Sequence, residues 1–422
     1  MIPRWSSAAT LAAAVLLPAS AVHADGAFPD SDSIMVPDAL PDEIVLGTNF
    51  GVVLSTDGGR TWSWTCEQAN DAFGSHYQMG APPLDRIYAS ARAGGTGALV
   101  YSDDATCSWQ VAAGGLAGVP VLDAFPDPTD AQRVLALLTR AGDAGSTYEA
   151  WASADGGATF GSRLYATADQ LTGVESARAD PDTVYLSLLA AGDGGAVPEL
   201  ARSTDGGAHW QLHDLSAGLG PGVANLRIIA VDPQDAATVL LRVSGGAAGE
   251  VVAATADGGA TVTPRLTFAG GVVSAFARLP NGDLIAGGTS GQDPVAFRSA
   301  DGGMTFQPLP APPHLRALAA RGTRLYGVAD NYMDGYAVGT SDDEGMTWQP
   351  LVSFGGDPDA PGVASVGAIA ACVSAVCESD CLTRAGMGQW APDVCTAAPA
   401  PDGGSARDAS PDAPAGRPDA AP

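Results

Sequence analysis

The sequence contains no lysine, and aromatic residues make up only 6% of its 422 positions. Its cationic side chains are therefore all arginines, 20 of them against 47 Asp and Glu residues, and the formal net charge is -27. Nucleic acids and anionic membranes bind clustered positive charge, so this composition argues against both as partners. There is also no Gly-x-Ser-x-Gly elbow and no phosphate-binding loop, which leaves two common kinds of catalytic site without support.

Glycine and proline are abundant, with 54 and 31 residues. Together with the scarcity of aromatics, this composition is typical of many short strands joined by tight turns rather than of long helices. The length permits a sizeable core and, taken alone, two or three domains.

The N-terminus has the three parts of an export signal. Arg4 provides the charged start, Ala8 to Leu17 form a short apolar stretch, and Val22-His23-Ala24 is a small-x-small cleavage site. The apolar stretch is too short to span a bilayer, and no cysteine stands at the cleavage point. We therefore predict a signal peptide over residues 1–24 and a mature protein that is secreted, periplasmic or on the cell surface.

One phrase, Ser-x-Asp-x-Gly-x-Thr-aromatic, recurs along the chain and is called a box below. The key residues of its seven copies are Asp57, Asp104, Asp155, Asp205, Asp257, Asp301 and Asp343. They are 42 to 52 residues apart, which is the period of a four-stranded propeller blade. The second copy has lost its glycine, and the fifth has lost its serine and its aromatic residue. Seven copies in phase predict an all-β, seven-bladed propeller over residues 25–361.

The chemistry of the box is that of a turn between two strands. An Asp carboxylate can accept backbone N–H groups two or more residues further on, and glycine there adopts a positive φ without a steric clash. The Thr hydroxyl can bond the same carboxylate, and the aromatic residue starts the next strand and packs inward. Many of the acidic residues are therefore predicted to be structural.

These boxes resemble those of the BNR or Asp-box propellers, which include sialidases, sortilin-like receptors, xyloglucan-cleaving hydrolases and photosystem II stability factors. The resemblance covers about residues 33–354. It implies that the boxes lie on the face opposite the functional one and are not catalytic. Because the family is diverse, the resemblance specifies the fold and leaves the function open.

The six cysteines indicate disulfides, because their number is even and the chain is predicted to be exported. Cys66 and Cys107 stand alone, and a bond between them is predicted to brace blades 1 and 2. Four others, Cys372, Cys377, Cys381 and Cys395, lack the CxxC spacing of a zinc site. Residues 362–396 are predicted to form a small disulfide-rich cap against the last blade. The Pro-, Ala- and Asp-rich residues 397–422 are predicted to be a disordered tail.

Catalytic signals are weak. A sialidase needs three converging arginines, but Arg178, Arg278 and Arg321 are predicted to lie on the box side, where surface pairing with Asp is the simpler interpretation. Glu149, Glu199 and Glu250 are predicted at polar loop ends that enter the third strands of their blades. The histidines have no ligand pattern around them, so no metal and no cofactor is predicted.

The loop face opposite the boxes remains as the candidate binding surface, because several of its loops carry aromatic and amide side chains. The candidate residues are Asn49, Phe50, His76, Tyr77, Arg140, Tyr148, Asn331, Tyr332, Asp334 and Tyr336. Those of blades 7 and 1 are expected to form one exposed aromatic patch. The resulting hypothesis is a non-enzymatic recognition or scaffold protein that binds an extracellular glycan or protein. The alternative is a secreted glycoside hydrolase of sialidase or related type. The sequence leaves the ligand and the oligomeric state open.

Overall fold

A computed structural model of the chain describes residues 31–70, 76–90, 98–142, 145–192, 195–245, 249–354, 363–387 and 392–395. These residues form the predicted all-β propeller, with seven antiparallel sheets of four strands each as its blades. The predicted signal peptide and tail lie outside the described residues. None of the helices in the described ranges is long and apolar enough to cross a membrane.

The strands of the first four blades are as follows. Blade 1 contains Ser31–Met35, Ile44–Thr48, Gly51–Ser55 and Ser63–Cys66. Blade 2 contains His76–Met79, Ile87–Ser90, Leu99–Ser102 and Gln110–Val111. Blade 3 contains Val121–Pro126, Val134–Gly142, Gly145–Ser153 and Ser162–Thr167. Blade 4 contains Gln170–Ser176, Val184–Gly192, Gly195–Ser203 and Gln211–Asp214.

The other three blades have the same four-stranded organisation, and a few short strands and helices lie outside the blades. Blade 5 contains Asn225–Val231, Val239–Ser244, Gly249–Thr255 and Thr263–Ala269. Blade 6 contains Val273–Arg278, Leu284–Ser290, Asp293–Ser299 and Gln307–Pro308, and blade 7 contains Ala317–Arg321, Arg324–Val328, Val338–Ser341 and Gln349–Ser353. Short strands lie at Ala113–Gly114, Thr159–Phe160, Ala364–Ser365 and Ala368–Ile369. The helices are Ser216–Leu219 and Ser374–Gly386, with 3-10 turns at Glu67–Ala69, Ala371–Val373 and Pro392–Cys395.

The blades pack face to face around a centre formed by their first strands, most of which contact the first strand of the next blade. The second strands are apolar on both faces because each sheet is covered by a neighbouring blade on either side. In the second strand of blade 3, for example, Val134 to Leu138 are all fully buried. The core is therefore a series of apolar layers between blades.

The boxes form the predicted turns between third and fourth strands. In the first box, Asp57 Oδ1 accepts the N–H groups of Arg60 and Thr61 at 3.0 and 2.9 Å, and the Thr61 hydroxyl donates to Oδ2 at 2.7 Å. Gly58 and Gly59 have φ values of 74° and 90°, a region that favours glycine. In all seven boxes the Asp accepts the N–H of the residue four positions later at 2.8 to 2.9 Å.

Consecutive strands are antiparallel, so the turns alternate between the two ends of each blade. The turns after first and third strands share one end, called the box face. The turns after second strands and the connections to the next blade share the other end, called the loop face.

Residues 363–387 and 392–395 are called the clasp, because they join the two ends of the ring. Residues 364–365 pair with the fourth strand of blade 7, and residues 368–369 pair with the fourth strand of blade 1. Two disulfides then bind the clasp to the ring, Cys66–Cys377 and Cys107–Cys372, and a third, Cys381–Cys395, lies within it.

The predicted disulfide between Cys66 and Cys107 is therefore wrong, and the clasp rests on blades 1 and 2 as well as on the last blade. The second box, which lacks glycine, is held at Cys107 by the bond to the clasp. Its Ala105 and Thr106 adopt φ values of 55° and 75°, and the Thr106 hydroxyl lies 2.7 Å from that of Thr65 in blade 1. These contacts hold a turn that glycine would otherwise favour.

Candidate functional site

The loop between the second and third strands of blade 7, residues 329–337, is the most elaborately bonded of the candidate loops. Asp330 lies at its start, where Oδ1 accepts the N–H groups of Tyr332 and Met333 at 3.0 and 2.9 Å. Arg316 donates to Asp330 Oδ2 at 2.6 Å. Burial alone would raise the pKa of the Asp330 carboxyl, but these hydrogen bonds and the Arg316 charge lower it.

Asp334 closes the same loop from its other end. Its Oδ2 accepts the N–H groups of His314 and Asp330, both at 3.0 Å, and its Oδ1 lies 2.8 Å from His314 Nδ1. The two carboxylates thus connect the loop to itself and to the chain segment that enters blade 7. A loop braced in this way has little conformational freedom left to lose on binding.

Asn331 anchors the loop to the interior and is only 4% exposed. Its Nδ2 donates to the Phe354 carbonyl at 2.7 Å, and its Oδ1 accepts the Phe354 N–H at 3.0 Å and the Ser353 hydroxyl at 3.2 Å. Asn331 therefore has a structural role, and its side chain is not available to a partner.

The tip of the loop is Tyr332 and Met333, which are 72% and 62% exposed. They are the two most exposed large apolar side chains among the described residues. Tyr336 is half-buried, and its ring lies against Gly339. Burial, together with the charge of Asp334, raises the pKa of Tyr336 to about 12. The loop therefore offers a tyrosine and a methionine on a rigid base.

The expected aromatic patch of blades 7 and 1 does not form, because Phe50 is fully buried. Its ring packs edge-on against Phe354 at 5.2 Å, and the Arg384 guanidinium of the clasp lies 5.6 Å from its centroid. Phe50 thus belongs to the core beneath the clasp. Asn49, its neighbour, is partly buried.

The candidates of blades 2 and 3 lie in separate places. His76 is exposed, but Tyr77 is only 3% exposed and its hydroxyl accepts a hydrogen bond from Asn70 at 3.0 Å. The expectation of an exposed aromatic is therefore wrong at Phe50 and Tyr77. Arg140 pairs with Glu149 at 2.9 Å, and Tyr148 lines a groove beside blade 4.

Two carboxyl groups inside the ring were not singled out by the sequence. Asp123 and Glu175 lie on the first strands of blades 3 and 4 and accept backbone N–H groups of the next blade, from Val174 at 3.3 Å and Val231 at 2.9 Å. Burial raises their pKa values to about 6 and about 7, although the Arg227 charge partly opposes the shift of Asp123. Nothing local distinguishes them from the other acidic residues in the sequence.

These groups predict an unusual dependence of stability on pH. The protonated forms of Asp123 and Glu175 are favoured in the fold, so stability should rise as the pH falls from about 7 to about 4.5. Box carboxyls such as Asp205, Asp257 and Asp301 have pKa values lowered to about 2 by their hydrogen bonds. Their contribution is lost below pH 4, so we expect the highest Tm between about pH 4 and pH 5.

Thermal unfolding measured from pH 2 to pH 8 tests this expectation. The double variant Asp123→Asn, Glu175→Gln should lose the rise between pH 7 and pH 4.5 and keep the acid decline. A wild-type maximum at neutral pH, unchanged in the double variant, would show that the interior carboxyls do not titrate as described.

Two of the three candidate arginines of a sialidase-type site make structural contacts. Arg278 pairs with Asp232 at 3.0 Å, and Arg321 donates to the backbone carbonyls of Pro41 and Glu43 in blade 1. These two arginines therefore stabilise the fold and do not converge on one ligand site. Within the described ranges, no group of three or more His, Cys, Asp or Glu residues is placed to hold a metal ion.

The fold defines the chain as a seven-bladed β-propeller. Solved structures of several different proteins are similar to it. A puromycin-hydrolysing peptidase of Mycobacterium tuberculosis is 14% identical with a TM-score of 0.53, over 76% of this chain and 56% of that one. YCF48 from Cyanidioschyzon merolae is 13% identical with a TM-score of 0.47, over 71% and 92%. The GH74 xyloglucanase from Xanthomonas campestris is 16% identical with a TM-score of 0.39, over 79% and 60%.

No family model matches the sequence, and no curated protein matches it. The chain spans little more than half of the peptidase and 60% of the xyloglucanase. At these identities the likeness concerns the fold alone.

Proposed function

We propose that this protein is a secreted or periplasmic recognition protein of the Asp-box propeller type, which binds a glycan or protein partner through its loop face. The seven box turns, with their shared hydrogen bonds, support the propeller type. Three disulfides, two of them between distant parts of the chain, are typical of proteins that fold in an oxidising compartment.

The exposed pair Tyr332–Met333 on its braced loop is the observation that carries the proposal. Tyrosine provides a large amphipathic contact surface at low entropic cost, and methionine adapts its shape to a partner. Their base is fixed by Asp330, Asp334 and Asn331, so binding does not have to order the loop. Such preorganisation favours affinity.

A glycoside hydrolase remains the second candidate. Such an enzyme uses as its general acid a carboxyl group with a raised pKa, and this protein has two such carboxyl groups. Asp123 and Glu175, however, lie on the first strands of their blades, and each accepts a backbone N–H of the next blade. We therefore expect no turnover of chromogenic glycosides. Hydrolysis abolished by Asp123→Asn or Glu175→Gln would favour the enzyme instead.

The double variant Tyr332→Ala, Met333→Ala tests recognition. On a printed glycan array and a panel of immobilised cell-surface proteins, it should bind the wild-type ligands about tenfold or more weakly, because exposed aromatic anchors dominate such contacts. The matched control is Met304→Ala, Met346→Ala, which removes two exposed methionines, 51% and 49% exposed, from the box face. This control should bind as the wild type does. Equal binding by both variants would contradict the assignment of the site.

A further inference from the structure

A second feature of the loop face is an open groove between blades 3 and 4, with a volume of about 450 Å³. It is lined by Tyr148 of blade 3, by Asp169 of the connection between the two blades, and by Ala190 and Ala196 of blade 4. Small side chains and backbone form much of its surface. Because the groove is open along its length, a free small molecule would be poorly enclosed, whereas a side chain carried by a larger partner would fit.

In blade 3, a glutamate on the third strand has its carboxylate fully paired by neighbouring side chains. Glu149, on the third strand, accepts hydrogen bonds from Arg140 Nε and Trp151 Nε1, both at 2.9 Å, and from Arg163 Nη1 at 3.1 Å. Burial alone would raise its pKa, but these three donors lower it. The carboxylate is therefore held by two guanidinium groups and an indole.

The strand registers of blades 3 and 4 match residue for residue in this region. Val134 pairs with Ser153 in blade 3, and Val184 pairs with Ser203 in blade 4. Glu149 and Glu199 both lie four residues before the box serine, and each is opposite a leucine of the second strand. Glu199 is therefore the structural counterpart of Glu149.

Blade 4 lacks all three donors. The counterparts of Arg140, Trp151 and Arg163 are Ala190, Ala201 and Leu212. The Glu199 carboxylate consequently has no hydrogen bond or ion pair with any described residue, although its backbone is paired with the neighbouring strands.

The negative charges around Glu199 would make a positively charged partner group electrostatically favourable at this position. Burial raises the pKa of its carboxyl, and the negative charges of Asp169 and Asp214 raise it further. Burial and the negative charges of Asp169 and Glu199 raise the pKa of the Tyr165 hydroxyl in blade 3. Leu212, on the fourth strand of the same blade, is 46% exposed.

We propose that an arginine side chain of an extended polypeptide partner binds at this groove, with its guanidinium reaching Glu199, which lies on the same strand as the groove residue Ala196. The position of Ala190 in the groove leaves open the path that the Arg140 side chain takes in blade 3. Arginine is favoured over lysine because its planar fork matches a carboxylate and stacks on aromatic rings. The site rests on the proposed use of the loop face for binding, but on none of the residues of the blade 7 loop.

Binding of the acetylated and amidated tripeptide Gly-Arg-Gly, measured by calorimetry at low salt, tests the site. Wild-type protein should bind it about five- to tenfold more tightly than the citrulline counterpart, which keeps the shape and loses the charge. Glu199→Gln should abolish this preference. Glu149→Gln is the matched control, and it should retain the preference because Glu149 is already occupied by its own arginines. Ala190→Arg should also abolish binding, because it supplies the missing guanidinium from within.

Three results would overturn the site. They are equal affinity for the arginine and citrulline peptides, equal affinity for lysine and arginine peptides, and an equal loss in Glu149→Gln and Glu199→Gln. The double variant Tyr332→Ala, Met333→Ala separates the two proposals. If this double variant binds the partner as the wild type does while Glu199→Gln loses the preference for arginine, the groove site is supported and the blade 7 site is contradicted.

Discussion

Replacing Cys66 and Cys377 by alanine is expected to lower the free energy of unfolding by about 2 to 5 kcal/mol. The bond joins the fourth strand of blade 1 to the clasp across 311 residues. Because Cys107–Cys372 already links the same parts of the chain, the bond closes a further loop of about 46 residues. Closing this loop removes conformational freedom from the unfolded chain, and the clasp also pairs with blade 7. Its loss should loosen the contact between the first and last blades.

Denaturant unfolding of the oxidised variant measures this effect. The control is Cys381→Ala, Cys395→Ala, which removes a bond between residues only 14 apart within the clasp. Since loop-closure entropy grows with loop length, this control should be less destabilised. If the Cys66–Cys377 variant were as stable as the wild type, this disulfide would not be needed to hold the clasp on blade 1.

The second large effect is expected at Asn331. Asn331→Ala should cost about 2 to 4 kcal/mol of stability, because it leaves the buried N–H and C=O of Phe354 without their side-chain partner. It should also weaken partner binding, since Tyr332 loses its fixed base. Ser353→Ala removes only one bond to Asn331 and should cost about 1 kcal/mol.

Thermal unfolding and binding of the two variants should be measured side by side. A stable Asn331→Ala protein that still binds would show that the loop is held by Asp330 and Asp334 alone. A destabilised variant with unchanged affinity would show that Asn331 supports the fold but is not needed to position the binding surface.

The fold could be predicted from the sequence because its main signal is local and repeated. Each box needs only eight consecutive residues to form its turn, as Asp57 and Thr61 show. Even the second box, with Ala105 and Thr106 in place of glycine, retains the same carboxylate contacts. Spacing between the boxes then specifies the number of blades.

The site could be predicted only in part, because exposure depends on packing between distant segments. Phe50 follows an asparagine in a loop, a context typical of an exposed aromatic residue, yet Phe354 and Arg384 cover it from more than 300 residues away. The predicted Cys66–Cys107 disulfide was wrong for the same reason, because an even number of cysteines does not indicate which of them are bonded. The unpaired state of Glu199 became visible only once the strand registers aligned it with Glu149.

Oxidative footprinting of the methionines tests the use of the loop face most directly. Met333 on the loop face and Met304 and Met346 on the box face are all about half exposed or more, so each reports on its own face. Binding of a partner retained from the array or panel should slow oxidation of Met333 and leave Met304 and Met346 unchanged. Protection of Met304 and Met346 with Met333 still fully reactive would place recognition on the box face and contradict the proposed function.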